Sequence, residues 1–187
     1  MRHTIRTAMM IGFALCTLPS VGARGVPADH CQNARVHDKQ VGAEITDSRV
    51  ATALAAVLET SGFRRNVVVC EISVPHLNAT VGRLGGSYYV GITKAVLENF
   101  TDAELRAVLG HELAHLVLGH RNRGFELTNH RTARFEEAAD ALSAQWLDKA
   151  AMQSVLRKLR VDAATLPNAS MRDRATTEID ARIKALH

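Results

Sequence analysis

The chain has 187 residues, 22% of them charged, and a formal net charge of +4. No cluster of lysine and arginine is long enough to track a nucleic-acid backbone, so a nucleic-acid partner is excluded. No internal repeat or low-complexity linker divides the chain, and the expected mature length of about 164 residues suits one domain with a sizeable core rather than two.

Residues 1–23 read as a secretory signal: Arg2 and Arg6 form the charged start, Ala8 to Leu18 the apolar middle, and Val21, Gly22 and Ala23 a small-residue cleavage site. The apolar run is shorter than the ~20 residues of a spanning helix, so no integral membrane span is expected in the mature chain. Cys16 follows Leu15, which is too large for the residue before a lipidated cysteine. The destination expected is the periplasm, by export across the inner membrane. Removing Arg2 and Arg6 lowers the formal charge from +4 to +2, a balance that names no partner. Residues 24–187 are expected to form the single mature domain.

Two cysteines remain in that exported chain, Cys31 and Cys70. They are expected to pair as a disulfide. Closing a loop of about 40 residues assigns the bond about 4 kcal/mol in the chain-entropy account. Gly25 to Gln40 reads as a loose mature amino terminus. Thr46 to Thr60 reads as a helix with Val50, Leu54, Val57 and Leu58 on its core side. Asn66 to Val74 reads as a strand, because Val67, Val68, Val69, Ile72 and Val74 are β-branched and Pro75 ends the run.

Thr101 to Gly119 carries helix signals at both ends: Thr101 with Glu104 forms a capping box, and Gly119 is a stop. Leu105, Leu109, Glu112, Leu113 and Leu116 share a broad face, and Ala103, Ala107, Gly110 and Ala114 form a stripe of small residues on the other side. The helix is expected to be buried nearly all round. His111, Glu112 and His115 lie in it as the pentapeptide HELAH, and residues four apart stack on one helical face. The two imidazoles can therefore hold one zinc ion, with Glu112 beside them as general base for a water at that metal. Buried polar groups of this kind are costly unless paired or metal-bound.

A catalytic zinc needs a third protein ligand. Arg131 to Leu147 reads as a second helix, with Phe135, Ala139, Leu142 and Trp146 at three- and four-residue intervals. Glu136 and Asp140 lie four apart on it, so that with Glu136 on the metal, Asp140 can accept from the distal nitrogen of a ligand histidine. Glu137 is the competing ligand. Met152 to Arg160 and Met171 to Leu186 read as further helices. His120 has a spacing that does not suit a third histidine ligand, and a loop or cap role is expected for it. His76, His130 and His187 are expected at ordinary surface positions, His130 in the connection between the two ligand helices.

The run from Thr101 to His120, with Glu136 and Asp140 in an ExxAD pattern, resembles the gluzincin peptidases of metallopeptidase family forty-eight, which include CAAX prenyl endopeptidases and HtpX-type membrane proteases. Leu77, Asn78 and Ala79 are similar to that family's asparagine-alanine element. Gly86 to Thr93 is similar to the edge strand before its active-site helix, so the resemblance runs in order from about residue 75 to 147. It implies an α+β zincin-like fold, with a small sheet whose edge strand holds extended substrate by backbone pairing. It implies one zinc per chain on His111, His115 and Glu136, with Glu112 as catalytic base and Asp140 behind the ligands. The implied activity is zinc-dependent endopeptidase action on exported or envelope proteins.

The chain departs from the family pattern after the second helix. Family members carry a histidine-proline pair there, followed by an arginine, whereas Leu166 precedes Pro167 here. Arg172, Arg174 and Arg182 are the remaining cationic candidates for the oxyanion or the substrate. The departure motivates a second reading, a zinc-bearing binding or chaperone-like protein that holds unfolded chains without cutting them efficiently.

Overall fold

The computed structural model describes residues 31, 35–36, 39–84, 86–120 and 129–187; the expected signal segment 1–23 lies outside the described residues. Strands β1 (Arg35–Val36), β2 (Lys39–Glu44), β3 (Val67–Ile72), β4 (Ala79–Leu84) and β5 (Ser87–Thr93) form one mixed sheet in the order β1-β2-β3-β5-β4. Helices α1 (Ser48–Ser61), α2 (Lys94–Asn99), α3 (Asp102–Val117), α4 (Asn129–Trp146), α5 (Lys149–Ala163) and α6 (Ala169–Ala185) complete the α+β architecture.

Strand β3 is buried on both faces, and its alternation shows why. Val67 and Val69 join the main core with Val90 and Ile92 of β5, against α1, α3 and α5. Val68, Cys70 and Ile72 face the other way, into a smaller cluster with Tyr89 and Cys31. Cys31 and Cys70 are joined by a disulfide with their Cα atoms 5.7 Å apart. The bond ties Cys31 to the back of the sheet.

Gly86 to Thr93 is not the edge strand. β5 runs parallel to β3 (Val67↔Tyr88, Val69↔Val90) and antiparallel to β4 (Ala79↔Ile92, Leu84↔Ser87), which leaves β4 outermost. The pattern of burial explains the exchange: β5 presents buried residues from Tyr89 to Thr93, whereas β4 is only half-covered, and a strand with parallel pairing needs both faces covered. Gly82 of β4 lies opposite Tyr89, and a Cβ there would meet the Tyr89 ring at 2.4 Å.

Helix boundaries follow local chemistry. Asp47 caps α1, Thr93 caps α2, Asp148 caps α5 and Asn168 caps α6, each accepting from backbone N–H groups of the first turn. The caps start the two C-terminal helices at Lys149 and Ala169, ahead of the expected Met152 and Met171, because propensity patterns mark the apolar stripe and not the polar residue before it. At α3 the capping box forms in full: Thr101 N–H donates to Glu104 Oε2 (2.7 Å) and Glu104 N–H to Thr101 Oγ1 (3.3 Å). Helix α4 begins at Asn129, so His130 belongs to its first turn rather than to a connection. None of the described helices is long and apolar enough to cross a membrane.

Candidate metal centre

Helix α3 runs through the middle of the core, buried continuously from Leu109 to Ala114. Its small-residue stripe lets α4 approach closely. A Cβ on Gly110 would meet Ser143 Oγ and Leu147 Cδ1 at 2.7 Å, and Ser143 Oγ donates to the Ala107 carbonyl at 2.8 Å. This close crossing carries Glu136 on α4 to the face that bears the two histidines.

Three side chains converge there. His111 Nε2 and His115 Nε2 are 3.0 Å apart, Glu136 Oε2 is 3.3 Å from His111 Nε2, and Glu136 Oε1 is 3.4 Å from His115 Nε2. The donors of His111, His115 and Glu136 lie within 4.8 Å of one another, a set that can hold a metal ion. With bonds of about 2.0–2.1 Å to nitrogen and oxygen, a tetrahedral zinc separates its ligand atoms by about 3.3 Å. The observed separations fit that size. Glu137, the competing carboxylate, is not part of the set.

Asp140, fully buried on α4, sits behind this group. Its Oδ1 is 2.8 Å from His111 Nδ1, and the contact has the distance but not the alignment of a hydrogen bond, since His111 Nδ1 is the buried side-chain atom left without an aligned partner among the described residues. Arg182 reaches in from α6 and donates to Asp140 twice, Nε to Oδ2 at 2.7 Å and Nη2 to Oδ1 at 2.8 Å. Its Nη1 lies 3.2 Å from Glu136 Oε2. One guanidinium therefore steadies both carboxylates of the ExxAD pattern.

The charges are strongly coupled. Burial disfavours a charged His111, but Asp140 and Glu136 outweigh it and hold the ring up at about 10. Burial and the neighbouring His111 push His115 down to about 4. Glu136 is buried too, yet His111, Arg182 and His115 hold it down at about 2. Burial pushes Glu112 up to about 7, with Glu136 and Asp140 adding to the rise and His111 and Arg182 opposing it.

His120 joins the same network, which its sequence spacing did not signal. Gly119 adopts a left-handed conformation (φ 67°), and two backbone bonds close a Schellman turn, His120 N–H to the His115 carbonyl (2.9 Å) and Gly119 N–H to that of Leu116 (3.2 Å). The turn folds the His120 ring back to place Nδ1 2.9 Å from His115 Nδ1 and to stack on Phe135 of α4 at 4.1 Å. Glycine followed by histidine at the end of the motif helix was the available signal, because the residue after a left-handed cap returns to the last turn.

Beside the centre lies a cavity of about 190 Å³, with His111, Glu112, Glu136 and Arg182 on its polar side and residues such as Phe100 and Met152 on its apolar side. Asn78 and Ala79 also line it. Of the three candidate cations only Arg182 does so. Arg172 donates to the Leu166 carbonyl at 2.9 Å and Arg174 is exposed on α6. Leu166 occupies the turn between α5 and α6 and does not line the cavity. His187 is exposed at the end of the chain, and His76 is half-buried with Nδ1 3.7 Å from Asp162.

The model of Peptidase family M48 matches residues 44–171. The match runs from the last residue of β2 through α5 into the first turn of α6, includes the three converging side chains, Glu112 and Asp140, and stops before Arg182. No curated protein matches the chain.

Proposed function

The chain belongs to peptidase family M48, a family of metal-dependent peptidases, and from that premise we propose that it is a zinc endopeptidase that hydrolyses exported or envelope proteins. The observation that carries the reading is the convergence of His111 Nε2, His115 Nε2 and Glu136 at separations of 3.0 to 3.4 Å, beside a buried Glu112. Zinc is the metal these ligand types and this spacing suit. Bound there, it would supply a Lewis acid for the scissile carbonyl and lower the pKa of the attacking water.

The protein's own groups do the rest. His111, His115 and Glu136 would hold the ion, and Asp140 and Arg182 hold His111 and Glu136 in place. Glu112, buried beside the converging side chains, takes the proton of the attacking water and returns it to the leaving amine, acting first as base and then as acid. Glu112 is itself buried, which limits the contact of its carboxyl with bulk water. An extended substrate pairs with the free side of β4, the outer strand that starts at Ala79 on the cavity rim.

Residues 1–23 are proposed to direct the chain through the inner membrane to the periplasm, leaving residues 24–187 as one mature domain. The Cys31–Cys70 disulfide supports an oxidising compartment.

The test is cleavage of a reduced, unfolded protein by the purified mature chain, alone, with chelator, and after zinc is restored. Activity is expected to vanish with chelator and return with zinc. Glu112→Gln is expected to keep the metal and the fold and to lose about 100- to 10,000-fold in rate. Near-parental cleavage by a zinc-loaded Glu112→Gln protein overturns the mechanism, and a parent that binds unfolded chains but never cuts them makes the protein a holder of substrates instead.

A further inference from the structure

We infer that His120 is a positioning residue for the metal ligand His115, fixing its tautomer and ring plane through an Nδ1 to Nδ1 hydrogen bond. The inference rests on the reading of His115 as a ligand through Nε2. The Nδ1 atoms of His115 and His120 are 2.9 Å apart; the Schellman turn at Gly119 returns His120 to the last turn of α3, and its ring stacks on Phe135. A histidine that gives Nε2 to a metal carries its remaining proton on Nδ1. His115 is therefore the donor, His120 Nδ1 the acceptor, and the proton of a neutral His120 sits on Nε2.

The two ligand histidines are thus supported differently. His111 leans on the carboxylate of Asp140, itself held by Arg182, whereas His115 leans on a neutral imidazole. That difference is chemically useful. A second carboxylate would add negative charge to a centre that already holds Glu136, Asp140 and Glu112, while an imidazole supplies the acceptor without it. The stacking of His120 on Phe135 gives the contact a second function. Phe135 precedes Glu136, so one ring ties the end of α3 to the turn of α4 that presents the third ligand.

Two variants separate orientation from simple packing. His120→Phe keeps a ring to stack and removes the acceptor; His120→Asn keeps an acceptor where Nδ1 stood and removes the ring. Zinc affinity measured by competition with a chromogenic chelator is expected to fall about 10- to 100-fold in His120→Phe, with unfolding of the metal-free protein unchanged, and to recover most of that loss in His120→Asn. Wild-type affinity in a folded His120→Phe protein overturns the inference, as does an equal loss in both variants, which assigns the effect to packing. An independent readout needs no variant: long-range nitrogen–proton NMR of the zinc-loaded parent is expected to show His115 protonated on Nδ1 and His120 on Nε2. A proton on His120 Nδ1 overturns it. A parent that binds no zinc removes the proposed function itself, a result distinct from any of these.

Discussion

Arg182 and Asp140, 42 residues apart, form a bidentate ion pair that is closed off from solvent, with Nε to Oδ2 at 2.7 Å and Nη2 to Oδ1 at 2.8 Å. The pair joins the C-terminal helix to the group of side chains that could hold a metal. Removing one member of a buried pair leaves the other charge uncompensated, at a cost of about 3–5 kcal/mol. Arg182→Met, which keeps much of the volume, is accordingly expected to lower the unfolding free energy of the metal-free protein by that order and to weaken zinc binding by loosening Glu136 and His111. Denaturant unfolding with and without zinc measures both; unchanged values in each would mean that the pair does not form in solution.

The ligand set is tested by metal analysis of single substitutions. His111→Ala, His115→Ala and Glu136→Ala each remove one of three protein donors and are expected to leave the purified protein with substoichiometric zinc. Glu137→Ala is expected to keep one zinc per chain, since Glu137 stands outside the converging group. Full occupancy in Glu136→Ala with loss in Glu137→Ala would reverse the assignment.

Glu104 provides a pH-dependent element away from the metal. It is buried, and although burial alone would raise its pKa, hydrogen bonds from Lys158 (2.7 Å), Ser154 (2.7 Å) and Thr101 hold it down at about 2. Because the folded value lies below the ordinary 4.5, the stabilisation is complete above that pH and is lost as pH falls toward 2. Glu104→Gln is expected to cost about 1–3 kcal/mol at pH 7, with the gap to the parent closing between pH 4.5 and 2. A gap that stays constant over that range would show that the ionised carboxylate is not what matters.

The Cys31–Cys70 bond is expected to appear as a single linked peptide in non-reducing mass mapping. Its reduction is expected to remove up to about 4 kcal/mol of stability, read as a lower melting temperature. Two free thiols in the native protein would sink the assignment.

What the chain determined by itself is what depends on near neighbours. Helical geometry alone puts His111 and His115 on one face, the Thr101 and Glu104 side chains close their own capping box, and Glu136 with Asp140 repeats the four-residue spacing on a second helix. The tertiary structure decided the rest, because those contacts join residues with no spacing to relate them. Arg172, Arg174 and Arg182 were equal candidates along the chain, and only the docking of α6 against α4 brings Arg182 to Asp140 and Glu136. The strand before α3 looked like an edge, yet β5 entered the sheet between β3 and β4 because its buried run required cover on both faces. His120 lies between the two cases: a local turn at Gly119 directs it, but only the packing of α4 supplies Phe135 to hold it against His115.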